Sequence, residues 1–198
     1  EKPRSQIAAM VPMSATGMAV AGIRVGRREP MKAKITAKTI ATAMARLTGN
    51  LTIDHDGNIY AFHRAEPPVL KFSPAGELLK TWGEGMMVRA HGFRVTPDGN
   101  IFATDQRGHR VYKFNTEGEV LLALGEKGVP GEDAEHFGGP ADVAQAPNGD
   151  FFVADGHDNN RIVKFEADGT FIKAWGTKGT GPGQFDLPHT VAFDSRGR

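Results

Sequence analysis

The sequence contains no cysteine, so neither a disulfide framework nor a thiolate metal site is open to it, and redox chemistry says nothing about its compartment. It has no long apolar run. The stretch from Ile7 to Ile23 is broken by Pro12, Ser14, Thr16 and Gly17 and falls short of the ~20 residues of a spanning helix, which argues against an integral membrane protein. Aromatic residues are missing from the first 50 positions; all 12 Phe, 2 Trp and 2 Tyr come later. Acidic residues are scarce there too. Residues 1–50 hold nine Lys/Arg and two Asp/Glu, a net of +7, whereas residues 51–198 carry a net of −6. Two segments of different character are thus joined within 198 residues, a length that suits one domain with an extension. Glycine is abundant instead: 25 residues, which favours a fold rich in turns over a helical bundle.

The basic leader, residues 1–47, carries Lys2 and Arg4 ahead of a small-residue apolar run, and Ala19-Val20-Ala21 has the form of a signal-peptidase site. Pro12 inside the run, and Arg24, Arg27 and Arg28 just after it, oppose that reading. The compartment stays open, with a secreted or extracytoplasmic place favoured. Met31, Ile35, Ile40, Met44 and Leu47 fall near helical spacing among Lys32, Lys34, Lys38 and Arg46, as in a basic amphipathic helix. No aromatic interleaves these charges, so a solvated extension is preferred to a nucleic-acid-binding one.

From Thr48 the chain repeats. Val69-Leu70-Lys71-Phe72 to Trp82-Gly83, Val111-Tyr112-Lys113-Phe114 to Leu124-Gly125 and Ile162-Val163-Lys164-Phe165 to Trp175-Gly176 each read as strand, glycine turn, strand. A second hairpin precedes each, turning at Asp56-Gly57-Asn58, Asp98-Gly99-Asn100 and Asn148-Gly149-Asp150. Four short strands per ~45 residues is the pattern of a β-propeller blade. The expectation over residues 48–198 is an all-β partial propeller. It would have three blades, about Thr48–Gly83, Ala90–Gly125 and Pro140–Gly176, plus the first strand of a fourth from Pro188. Three and a fraction blades do not close a ring, so a fragment of a longer chain is expected.

Positions that recur in every blade read as structural, and departures as candidate sites. Asp105 and Asp155, six residues after the turn glycine and followed by Arg110 and Arg161, read as a structural ion pair or cap. The first blade has His63-Arg64 there instead. Eight residues before the turn glycine stand Gly49, His91, Ala141 and His189, so histidine falls on alternate blades at a position that lines the channel. A third histidine two blades on would complete a three-imidazole centre with an open fourth position, the form of a catalytic zinc site.

The linker from Gly176 to Pro188, with Val191-Ala192-Phe193-Asp194, closely resembles the NHL repeat. Phe62-His63-Arg64, Ala90-His91-Gly92-Phe93, Asp155-Gly156-His157 with Asn160-Arg161-Ile162, and Leu187-Pro188-His189 resemble the peptidyl-α-hydroxyglycine α-amidating lyases. That resemblance implies a six-bladed ring, zinc ligation by His91 and His189, and Arg64 as the active-site arginine. It also implies a structural calcium bound through the carbonyls of Leu51 and Phe93, the hard oxygen ligation that calcium takes. The third zinc histidine, a second arginine and the calcium carboxylate are expected beyond Arg198. The family's tyrosine falls on His157, whose ordinary pKa of about 6.5 against about 10 suits a base near neutral pH; the substitution stands equally for a lost or altered chemistry. His55, His109 and His136 match nothing in the pattern and read as surface residues.

The function expected is zinc-dependent cleavage of peptidyl-α-hydroxyglycine to peptide amide and glyoxylate, with catalytic roles for Arg64 and His157. The partner would be that peptide or another small ligand in the central channel. The alternative is a non-catalytic NHL platform for peptide or protein, or an inactive fragment; an isolated fragment is expected to be weak or inactive. The acidic balance of residues 51–198 disfavours nucleic acid, which needs a basic stripe.

Overall fold

The computed structural model describes residues 50–194, 196 and 197. Expectations about the leader, residues 1–47, lie outside the described residues. Among the described residues no helix is long and apolar enough to cross a membrane. The repeat pattern appears as three four-stranded antiparallel sheets, each in simple sequence order. The first is β1 (Asn50–Ile53), β2 (Ile59–Phe62), β3 (Val69–Phe72) and β4 (Leu78–Trp82). The second is β5 (Ala90–Val95), β6 (Ile101–Asp105), β7 (Arg110–Phe114) and β8 (Val120–Leu124). The third is β9 (Pro140–Gln145), β10 (Phe151–Asp155), β11 (Arg161–Phe165) and β12 (Phe171–Trp175). These twelve strands lie inside the three blades read from the sequence. The turn glycines Gly57, Gly99 and Gly149 have φ of 81°, 82° and 94°, the left-handed conformation that tight hairpin turns demand.

A blade cannot bury its faces alone, so the core lies between neighbouring sheets. Strand alternation sends Ile101 and Ala103 of β6 into the cluster shared with Tyr60, Phe62, Val69 and Trp82 of the first blade. Phe102, between them in sequence, joins Val143, Phe151, Val153, Val163 and Phe165 of the third blade. Ring contacts bridge both interfaces: Phe62 stacks on Phe93 at 4.7 Å, and Phe102 meets Phe151 at 4.8 Å. The middle blade is therefore covered on both faces, and all five residues of β6 are buried. The outer strand β12 is exposed throughout, including Phe171, Ile172 and Trp175.

Two sequence expectations need correction. Pro188–Asp194 forms no strand; a strand needs a partner ladder, and among the described residues no second strand pairs with it. Instead, after the short parallel pair β13 (Thr177–Lys178) and β14 (Gln184–Phe185), it is tied by Val191 N–H to Asp142 Oδ2 at 3.2 Å and by Phe193 against Phe152. The recurring Asp–Arg device takes both forms expected of it, an ion pair in the third blade and a backbone cap in the second. Asp155 and Arg161 form a buried pair at 2.9 Å. Asp105 takes backbone N–H groups of Val88, Arg89 and Gly108, while Arg110 lies over the Tyr112 ring at 4.9 Å. His109, read as an ordinary surface residue, is half-buried with a φ of 56°.

Asp98, at the turn of the second blade, shows how polar groups fasten the blades. It accepts from Thr96, Lys113, Asn100 N–H and, across the interface, Gln145. Burial alone would raise its pKa; these donors outweigh it and hold the carboxyl well below the usual range. The folded carboxyl titrates below its unfolded value, so its stabilisation is complete above about pH 4 and is lost as pH falls below that. Asp98→Asn should lower stability at pH 7 by about 1 kcal/mol, since the site is partly solvated, and should cost progressively less at lower pH. Thermal melts by circular dichroism between pH 2 and 7 would read this; an equal deficit at both ends would refute the charge-based account.

Candidate metal centre

The centre begins with an irregularity in β5. The pairing with β6 runs Val95↔Ile101, Arg94↔Phe102 and Phe93↔Ala103, then slips so that Ala90 faces Asp105. His91 and Gly92 form the bulge, the usual device for re-aiming a side chain. Gly92 N–H leaves the ladder and donates to Thr104 Oγ1 at 2.6 Å; Thr104 in turn donates to Ala141 O of the third blade at 3.1 Å. The same carbonyl accepts from His91 Nδ1 at 2.9 Å. Only an N–H can donate to a carbonyl, so the proton sits on Nδ1 and the lone pair of neutral His91 is on Nε2. From the first blade, Asn50 Nδ2 donates to His91 O at 2.7 Å.

Two further imidazoles converge there. His157 stands on the turn between β10 and β11, with Nε2 2.9 Å from Nε2 of His91. His189 lies on the segment after β14, its ring 4.7 Å from that of His91 and 5.0 Å from that of His157. The turn carrying His157 is braced on both sides. His157 and Asp158 donate backbone N–H to the carbonyls of Gly139 and Gly138, and Leu187 N–H bonds Asn160 Oδ1. Gly156 lets the strands of chain meet, because a Cβ there would lie 1.9 Å from Pro188 O.

The register argument paired His91 with His189, and the structure brings those two together. The family resemblance gave His157 the place of a tyrosine and set the third zinc histidine beyond Arg198; the structure puts His157 beside the pair. The three offer one ligand atom each, all within 4.8 Å of one another, and among the described residues they form the one such group of His, Cys, Asp or Glu. A tetrahedral zinc at ~2.0–2.1 Å sets its ligand nitrogens about 3.4 Å apart. Modest side-chain movement therefore suffices for an ion to fit, and the donor set suits a borderline metal such as zinc. Burial chiefly, then the charge of His189 and of Arg64 and Arg89, lowers the pKa of His91 against the opposing bond to Ala141. Burial, then His91, His189 and Arg89, pushes His157 down to about 4, with Asp158 opposing. Both shifts favour the neutral ring that metal ligation requires.

Arg64 is exposed on the turn after β2, and its charge reaches His91. Arg89, which the sequence reading passed over, reaches both His91 and His157. Leu51 and Phe93 occupy matching inner-strand positions, opposite Ala61 and Ala103.

The NHL repeat family matches residues 137–165. Peptidyl-alpha-hydroxyglycine alpha-amidating lyase 1 of Drosophila melanogaster is 36% identical over 138 residues, 66% of this chain and 25% of its own length. NHL repeat-containing protein 3 of Mus musculus is 32% identical over 155 residues, 72% of this chain and 45% of its own. The chain carries an NHL repeat and resembles the amidating lyases. It spans less than half the length of both relatives. Among solved structures, virginiamycin B lyase of Staphylococcus aureus aligns with a TM-score of 0.54 at 18% identity, covering 74% of this chain and 45% of that one, a likeness of fold alone. The NHL-type chain is thus an all-β propeller assembly with three clustered histidines.

The bulge gives the centre a definite weak point. A Cβ on Gly92 would lie 2.3 Å from Ala141 O, a backbone atom with little room to yield. Gly92→Ala should weaken Zn²⁺ or Co²⁺ binding ~10–100-fold, the usual effect of losing an orienting contact. Thr104→Val, which strands the Gly92 N–H, should do the same, and Thr104→Ser should restore it. Competition with a chromophoric chelator reads the affinity; unchanged binding in both Gly92→Ala and Thr104→Val would show that the relay does not orient His91.

Proposed function

We propose that this chain belongs to a zinc-dependent lyase that cleaves the C–N bond of a peptidyl-α-hydroxyglycine, giving a peptide amide and glyoxylate. The observation that carries the reading is the convergence of His91, His157 and His189, together with the likeness to a relative named as an amidating lyase. His91 would hold the ion through Nε2, its Nδ1–H anchored on Ala141 O, and His157 and His189 would supply the other two nitrogens. Zinc, when bound, supplies a Lewis acid that lowers the pKa of the substrate's α-hydroxyl. The hydroxyl loses one proton and the departing amide nitrogen gains one, so the reaction needs no net proton and no organic cofactor. Arg64 neutralises negative charge on the substrate, where a planar fork of donors suits a carboxylate. In this reading His157 would serve as a ligand, in place of the base role that its position at the family's tyrosine suggests.

The mouse NHL relative, whose name states no activity, favours a second reading: a binding platform that uses the same channel for a peptide. A single experiment separates the two. The zinc-loaded chain is incubated with a synthetic peptidyl-α-hydroxyglycine, and glyoxylate and amide are quantified beside the uncatalysed rate. The lyase reading expects equimolar products, loss of at least ~10²-fold in kcat on His91→Ala, and parallel loss under a chelator. No release above background from chain that retains zinc would leave the platform reading.

A further inference from the structure

We infer that the junction of the second and third blades holds a separate binding site, shaped for a small aromatic amine. It shares no lining residue with the three-histidine centre and does not depend on the lyase reading.

The signal is a break in the repeat. The residue before the glycine that follows each outer strand is Trp82 in the first blade, Leu124 in the second and Trp175 in the third. The ladder confirms the equivalence, setting them opposite Val69, Val111 and Ile162. Trp82 is buried in the first junction. It meets Phe114 of the next blade at 6.4 Å, and a Cβ on Gly118 would lie 2.6 Å from its Cγ. Phe165 and Gly169 are the third blade's counterparts of that pair, one ending β11 as Phe114 ends β7, the other in the turn that follows. At the second junction they meet a leucine in place of an indole. Leu122 takes part of the room, being the side chain nearest Gly169. A cavity of about 480 Å³ remains, lined by Leu124, Phe165, Gly169 and Phe171 together with Phe137. That volume is in the range of small-molecule sites.

Charge selects what fills it. The exposed Glu126 and Glu135 also line the cavity, and among the described residues no lysine or arginine does. His136 lines it too, but its Nδ1 is taken by Asp133 at 2.8 Å, and Glu126 stands 3.9 Å from its Nε2. Carboxylates therefore outnumber cationic groups, and phenylalanine rings add their own attraction for a cation. An aromatic ring suits the room that Trp82 fills at the first junction, and an ammonium on a short chain suits the carboxylates. A carboxylate in the ammonium's place is repelled.

The test is calorimetric titration of the full chain with tryptamine, uncharged 3-methylindole and anionic indole-3-propionate. Tryptamine should bind most tightly and indole-3-propionate least. Leu124→Trp, which restores the residue of the other two blades, should abolish tryptamine binding. Glu126→Gln combined with Glu135→Gln should weaken tryptamine ~3–10-fold, the range for two exposed charge pairs, and leave 3-methylindole unchanged. Undiminished tryptamine binding in a folded Leu124→Trp chain would overturn the inference, as would equal affinity for amine and carboxylate, or no binding by the wild-type chain. Should circular dichroism show that Leu124→Trp does not fold, the double glutamine variant decides alone, and unchanged tryptamine affinity there removes the site.

Discussion

One backbone carbonyl organises the centre. Ala141 O, at the bulge where β9 slips against β10, receives the Thr104 hydroxyl and the Nδ1–H of His91. A buried carbonyl must find donors, and here it takes them from two residues of the neighbouring blade. The arrangement does three things together. It joins the second and third blades at their inner strands, it fixes the tautomer of His91, and it holds the bulge that swings that ring toward His157 and His189. A regular β5 would have kept Gly92 N–H in the ladder and left Ala141 O without these donors.

Burial divides the polar groups into two kinds. Asp155 with Arg161 and Asp105 with its three N–H donors are enclosed and internally satisfied; they hold loops to strands and have no capacity left for a ligand. Arg161 also grips the carbonyls of Glu132, Asp133 and His136, so its five donors serve to pin the 132–136 loop. The histidines and Arg64 and Arg89 behave differently. They stand half-buried to exposed, collect like charge, and are opposed by little. Such imbalance destabilises a folded protein slightly unless something bound offsets it, which is why it marks a site and the satisfied pairs do not.

The blades were legible because their signals are local and repeated. Hairpin glycines and two-residue alternation fix each strand within its own segment, and three copies reinforce one another. His91 and His189 were found through the same period, each standing eight residues before its turn glycine. His157 was not, because it enters from the turn between β10 and β11, outside the register being compared. What brings it in is long-range: the carbonyls of Gly138 and Gly139 on one side, and the approach of Gly156 to Pro188 on the other. No spacing rule reports such a contact. Between the ion pair and the cap that the sequence left open, Asp105 takes the cap: Arg110 faces it in the ladder, yet backbone donors reach that carboxylate first.

The histidine centre therefore depends on packing between blades more than on any single strand. His91 is set by the interface of the second and third blades. His157 and His189 are set by the contact of the β10–β11 turn with the segment that follows β14. Phe102 against Phe151, and Phe152 against Phe193, are the apolar contacts that keep those two junctions closed. Phe102 and Phe151 are buried, each contributing roughly 1.5–3 kcal/mol, while Phe152 and Phe193 are half-buried. Substitutions far from the histidines but within these two junctions act on the site through displacement of the rings, with no change in the chemistry of the ligands themselves.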